Sequence, residues 1–249
     1  MKKAMSIYFR FLLPGLATLI LVNVCASAQT LAVNGSVEVT NVHSGSRGVD
    51  NAGVVVWLTP LAEEPAGNTT QNLPRRKFTL LQKNKTFIPH ILVVSAGSQV
   101  EFPNKDPFFH NVFSLYDGKR FDLGLYEAGS TRTLNFERPG ISFLFCNIHP
   151  EMSAVIIALD TPWYALSDTA GQITIPGVPA GRYILHVWRE GSSPESLKNL
   201  SRTVVLSHDS ASLGKLQIPN NAPVPLAHKN KYGRDYDTTP SLDPGYNNH

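Results

Sequence analysis

Apolar and polar positions alternate along most of this chain, in short blocks separated by Gly, Pro, Asn and Asp. Residues 35–40 alternate and residues 52–58 form a more continuous apolar run, so both predict strands, with a Gly/Ser-rich turn at 44–48 between them. Residues 60–76, with prolines, polar residues and the cluster Arg75-Arg76-Lys77, have the composition of an exposed connection. Further strands are predicted at 87–94, 99–102, 131–136 and 154–159. Asp117-Gly118 and Ala128-Gly129 mark turns around 121–126, and Pro139-Gly140 opens a hairpin whose first arm is the apolar run 141–145. After Trp163 a second series begins, with a turn at 168–171 between two strands, then strands at 178–188 and 202–206. No helical period and no tandem repeat is present. The expectation is an all-β chain built as antiparallel sandwiches. Residues 220–249, rich in Asn, Pro and Asp and poor in large apolar side chains, predict a mobile tail.

The first 28 residues break this pattern. Lys2, Lys3 and Arg10 precede and enter an apolar core at 11–24, and Ala26-Ser27-Ala28 supplies a small-x-small cleavage site. This predicts a signal peptide at 1–28, a mature start near Gln29, and a periplasmic or secreted protein with no integral membrane span after cleavage. Val24 before Cys25 is not the small residue a lipoprotein site needs. Cleavage removes three basic residues and no acidic one, so the formal charge falls from +3 to 0. With no basic stripe and no aromatic RNA-binding motif, a nucleic-acid partner is not expected. Of the two cysteines, Cys25 leaves with the signal. Cys146 then stands alone in an oxidising compartment, where it cannot form an internal disulfide. A buried inert thiol or an intermolecular bridge are the plain explanations for such a residue.

Its neighbours point to another. Cys146-Asn147-Ile148-His149-Pro150-Glu151-Met152 follows the apolar arm of the predicted hairpin and carries a thiolate, an imidazole and a thioether on one short loop. Two His, one Cys and a weak axial Met describe a blue-copper site. The loop supplies one histidine, and His110, delivered by the turn-rich stretch 104–110, is the best candidate for the other. Taken singly, His110 reads as a turn histidine and Met152 as core filler. His43, His90, His186 and His208 lack partners at ligand spacing and are read as structural.

With these four residues in place, the stretch 78–160 resembles the cupredoxins. The spacing Cys-x2-His-x2-Met with Pro150 after the histidine is most similar to the amicyanin loop. Phe87-x-Pro89, Gly97, Val100-x-Phe102, Asn104 and His110-Asn111 fall at plastocyanin-like spacings. The resemblance implies a Greek-key β-sandwich holding one type 1 copper ion through His110, Cys146, His149 and Met152. It also implies that Asn111 points its backbone N–H at the sulfur while its side chain ties the two ligand loops together. The segments 31–61 and 162–218 resemble a carboxypeptidase-regulatory or transthyretin-like sandwich, carried by Gly35-x-Val37, Ala52-x-Val54-x-Val56-x-Leu58, Ser167-Asp168-x-x-Gly171 and Val178-Pro-x-Gly181-x-Tyr183-x-Leu185. This implies a smaller Ig-like sandwich interrupted by an inserted copper domain.

The function so implied is an exported carrier of single electrons with no catalysis of its own, docking a redox protein partner near His149. Pro107, Phe108, Phe109 and Pro150 would form the apolar rim. Glu151 stands where amicyanin has a bulky apolar residue, so the resemblance does not extend to amicyanin's partner. Copper storage or delivery, or a carbohydrate- or protein-binding module whose metal is structural, is the alternative. Zinc would suit Cys146, His110 and His149 but would have little use for Met152. Cys146 and His149 as a nucleophile–base pair lack an orienting third group.

Overall fold

The computed structural model describes residues 30–41, 50–61, 76–115, 118–222 and 229–236. The predicted signal peptide, the turn at 44–48 and most of the connection 60–76 lie outside the described residues. The strands, in chain order, are β1 (Thr30–Asn41), β2 (Val55–Pro60), β3 (Lys77–Thr79), β4 (Leu81–Lys83), β5 (Thr86–Ile88) and β6 (Ile91–Ser95). There follow β7 (Ser98–Pro103), β8 (His110–Ser114), β9 (Phe121–Tyr126), β10 (Thr131–Phe136), β11 (Gly140–Phe145) and β12 (Ser153–Leu159). The last are β13 (Tyr164–Leu166), β14 (Gln172–Pro179), β15 (Gly181–Trp188), β16 (Arg202–Leu206) and β17 (Ser212–Asn220), with one short helix, α1 (Pro194–Leu200), before β16. The chain is all-β in class, as its alternation requires. Among the described residues no helix is long and apolar enough to cross a membrane.

Pairing sorts the strands into two layered units. The sheets β14-β1-β17 and β13-β2-β15-β16 face each other across a core that includes Val33, Val56, Leu58, Ile175, Leu185 and Ile218. Residues 30–60 and 164–220 therefore share sheets, although the chain between them folds elsewhere. The sheets β10-β7-β3 and β6-β12-β11-β8-β9 enclose a second core around Val100, Phe102, Tyr126, Leu144 and Ile156, with the hairpin β4-β5 contributing Phe87. The turn at 168–171 shows why its last residue is glycine. Gly171 has φ +78°, and a Cβ there would meet the Val37 carbonyl oxygen at 2.2 Å.

The expectations for the elements need correction at several places. The run 178–188 is the end of β14 and the whole of β15, which part at Ala180. The pairs β1–β17, β12–β6 and β3–β7 are parallel, so the units are not purely antiparallel. The run 87–94 is two strands, because Pro89 lacks a ladder N–H and separates β5 from β6. The strand β17 escaped notice because Leu213 and Leu216 violate a period of two. The register shift between Asn34 and Gly35, opposite Leu213 and the positive-φ Gly214, restores the inward face for Leu216 and Ile218. Helix α1 was also missed, though Ser193 caps it by accepting from the Ser196 N–H and Pro194 stands at its first position.

The two units meet over a third apolar cluster. Val55 and Trp188 of the first unit pack against Val93, Val155, Ile157 and Leu159 of the second, with Phe143 at 6.3 Å from Trp188 between ring centroids. The strand β11 is consequently covered on both faces. Leu144 turns into the core shared with Cys146, and Phe143 turns toward the other unit.

Candidate metal centre

The hairpin β11–β12 sets the base of the loop 146–152. Phe145 pairs with Ser153 across it and with Phe113 of β8 on the other side, so β8 lies beside the strand that leads to Cys146. Within the loop the Met152 N–H donates to the His149 carbonyl (3.0 Å) and the Cys146 N–H to the Met152 carbonyl (3.3 Å). These bonds curl the loop over the end of the sheet. His110, the first residue of β8, approaches from the neighbouring strand and is fully buried.

His110 Nδ1 lies 3.9 Å and His149 Nδ1 3.6 Å from Cys146 Sγ. The three donor atoms fall within 4.8 Å of one another, and they form the cluster of His, Cys, Asp and Glu able to share an ion among the described residues. One ion fits them. Metal–sulfur and metal–imidazole bonds of about 2.3 and 2.0 Å, as in zinc sites, place an S and an N on one ion about 3.5–3.9 Å apart. Met152 is buried in the same apolar cluster as Cys146 and Leu144. The structure thus brings the donor atoms of His110, Cys146 and His149 together and places Met152 in the same core cluster as Cys146.

The orientation of His110 comes from a residue the sequence reading did not single out. Asp106, itself buried, accepts from His110 Nε2 at 2.8 Å and from the N–H groups of Asn84 (2.6 Å) and Lys85 (2.9 Å). A carboxylate only accepts, so the proton sits on Nε2 and the Nδ1 lone pair is free to face the sulfur. Burial pushes the Asp106 carboxyl up, but the donors from Lys85, His110 and Asn84 outweigh it and leave it below its ordinary value. Asn104 shapes the turn by donating to the Phe108 carbonyl (2.7 Å) and accepting from the Asp106 N–H (3.0 Å). The available signal was an Asn-x-Asp turn placing a carboxylate four residues before the histidine.

Burial raises the Cys146 thiol above its ordinary value, although the N–H groups of Asn111, Ile148 and His149 pull it down. An ion must therefore displace a proton to bind this sulfur. Burial, helped by His110 and Lys85, pushes His149 down to about 4, so its imidazole is neutral and able to ligate at neutral pH. Phe108 lies against both imidazoles, with centroids 5.3 Å from His110 and 5.4 Å from His149. His149 itself is half-buried. Around it Phe109 is 45% and Ile148 40% exposed, and Pro107 and Pro150 are exposed.

Asn111 divides from its expectation. Its backbone N–H is one of the groups whose pull on the Cys146 thiol opposes the effect of burial. Its side chain does not tie the two ligand loops together: Nδ2 donates to Asp122 Oδ1 (2.7 Å) and to the Gly124 carbonyl (3.0 Å) on β9, because β9 is the paired neighbour of β8 on that side. The stretch 220–249 also departs from a free tail where it is described. Lys231 and Tyr236 hydrogen-bond to Asn147 and Cys146. His90 pairs with Glu190 and His186 stacks on Trp57 at 5.1 Å, and neither belongs to the donor cluster.

No protein-family model matches this chain, and no curated protein matches it. Solved structures align with parts of it. A purple cupredoxin from Nitrosopumilus maritimus is 20% identical over 33% of this chain and 99% of its own length, with a TM-score of 0.30. A Cu-containing nitrite reductase from Thermus scotoductus is 21% identical over 49% of this chain, which spans only 28% of that protein, with a TM-score of 0.33. A reduced amicyanin variant is 16% identical over 36% of this chain and 90% of its own, with a TM-score of 0.32. At these scores the likeness carries no functional weight, and the chemistry rests on the donor atoms of this chain.

Proposed function

We propose that this chain holds one type 1 copper ion through His110, Cys146, His149 and Met152 and carries single electrons between redox partners, with no catalysis of its own. The observation that carries the reading is the buried approach of Cys146 Sγ to two imidazole Nδ1 atoms at 3.6 and 3.9 Å. Two imidazoles, a thiolate and a thioether form the donor set of a one-electron copper couple. Asp106 fixes the His110 tautomer. Leu144, Met152 and Ala154 pack the inner side and exclude water. Donors held by a paired sheet and a hydrogen-bonded loop have little freedom to rearrange when the charge of the site changes. The half-buried His149 edge, ringed by Phe109, Ile148 and Pro150, is the docking surface for the partner protein.

The reading includes export directed by residues 1–28. It also takes the unit formed by 30–60 and 164–220 as a regulatory-like sandwich into which the copper domain is inserted, an arrangement supported by the pairing of β1 with β14 and β17.

The test is to express the chain from Gln29, add Cu(II), and record visible and EPR spectra. Intense blue colour with narrow hyperfine splitting, abolished in Cys146→Ala, is the expected result. Tight colourless zinc with no such copper spectrum overturns it. Reversible voltammetry separates a carrier from a copper store.

A further inference from the structure

A segment remote in sequence grips the loop that carries Cys146. The backbone N–H of Lys231 donates to Asn147 Oδ1 at 2.9 Å, and the Tyr236 hydroxyl donates to the Cys146 carbonyl at 2.8 Å. The Lys231 ammonium pairs with Asp122 Oδ2 at 2.8 Å. Through its other oxygen Asp122 accepts from the side chain of Asn111, the neighbour of His110 on β8. The segment has a shape of its own. Asn230 Oδ1 accepts from the N–H groups of Tyr232 and Arg234, and Asn230 N–H donates to the Arg234 carbonyl at 2.8 Å. A preformed turn thus presents Lys231 on one side and Tyr236 beyond it.

The loop's own closure is slender. The bond from the Cys146 N–H to the Met152 carbonyl is 3.3 Å, near the long end for an N–H···O contact. Opening the loop to bare the thiol must also break the Tyr236 and Lys231 contacts. We propose that residues 230–236 are a strap that holds the loop 146–152 closed over Cys146, with Tyr236 and Lys231 as positioning residues. As a statement about a metal loop this rests on the function proposed above. As a statement about loop closure it holds for the metal-free chain.

The experiment measures alkylation of Cys146 by iodoacetamide in the full, metal-free chain under native conditions, quantified on the Cys146 peptide. Tyr236→Phe keeps the ring and removes one hydrogen bond, so the thiol reacts about three- to tenfold faster if opening gates the reaction. A chain ending at Ala222 loses the whole strap and reacts about a hundredfold faster. Lys231→Gln accelerates the reaction and Lys231→Arg restores the slow rate, which a general loss of stability does not reproduce. Equal rates in the full chain, Tyr236→Phe and the truncated chain overturn the strap. Should the truncated chain fail to fold, Tyr236→Phe and the Lys231 pair still decide. The two proposals fail separately: a strap effect on alkylation in a chain that takes up no copper keeps the strap and removes the copper reading.

Discussion

The Nε2–H of His110 donates to Asp106 across 2.8 Å, with both side chains almost wholly withdrawn from solvent. That bond decides which nitrogen faces Cys146, and it makes a carboxylate outside the predicted ligand set part of the centre.

Replacing that carboxylate weakens the site without touching a donor. Asp106→Ala leaves the His110 Nε2–H and the N–H groups of Asn84 and Lys85 without their acceptor. Of these only the His110 donor is fully buried, and leaving it unsatisfied costs about 1–3 kcal/mol. Loss of a ligand's supporting partner lowers metal affinity by about 10–100-fold. Competitive copper titration and thermal unfolding should register both effects, and unchanged affinity would remove Asp106 from the centre.

One substitution separates packing from ligation at Met152. It is a fully buried core residue, so Met152→Leu, which conserves volume, should cost less than about 1.5 kcal/mol in stability. If its sulfur is also the axial donor, the same change shifts the reduction potential of the copper-loaded chain and alters its spectrum. A stable variant with unaltered potential makes Met152 packing alone.

The junction between the two units should respond to pH through His90. Its Nε2 lies 2.6 Å from Glu190 and its Nδ1 3.1 Å from the Ser153 carbonyl, linking β15's end to the start of β12. The hydrogen bond to Glu190 raises the imidazole above its ordinary 6.5, against the opposing effect of burial. A histidine raised on folding stabilises fully below its unfolded value and loses that contribution as pH climbs through the folded one. The wild-type urea midpoint should therefore fall relative to that of His90→Gln as pH is raised from below 6.5. Parallel pH profiles for the two proteins would show that the pair contributes nothing.

Trp188 anchors the same junction by burial. It packs on Phe143 and belongs to the apolar cluster between the units. Trp188→Ala should cost about 3–5 kcal/mol in unfolding free energy. Phase-separated unfolding of the two units, read by calorimetry, is the expected sign that this cluster couples them.

Much of the centre was readable in the chain. Cys146, His149 and Met152 share one loop because a hairpin arm ends at Phe145, and the period of a strand puts Leu144 with Cys146 and Phe143 on the opposite face. His110 could be chosen because a turn-rich stretch leads it into β8. Less legible were Asp106, whose role depends on receiving N–H groups from the β4–β5 turn, and the side chain of Asn111, which follows its neighbour β9. The bulge at Leu213–Gly214 hid β17, since one extra residue shifts the inward face and breaks the alternation by which strands are recognised.

The sequence by itself determined the all-β class, most strand positions, and a sulfur and imidazole on one loop, for these follow from the side-chain period and local turn chemistry. Only the tertiary structure decided that β17 lies parallel to β1, that Asp106 receives the β4–β5 turn and His110 together, and that Lys231 and Tyr236 return to the loop at 146. Periodicity tells which face a side chain takes. Which distant strand or segment meets that face is settled by burying whole surfaces and satisfying backbone groups at once, and no local pattern records the outcome.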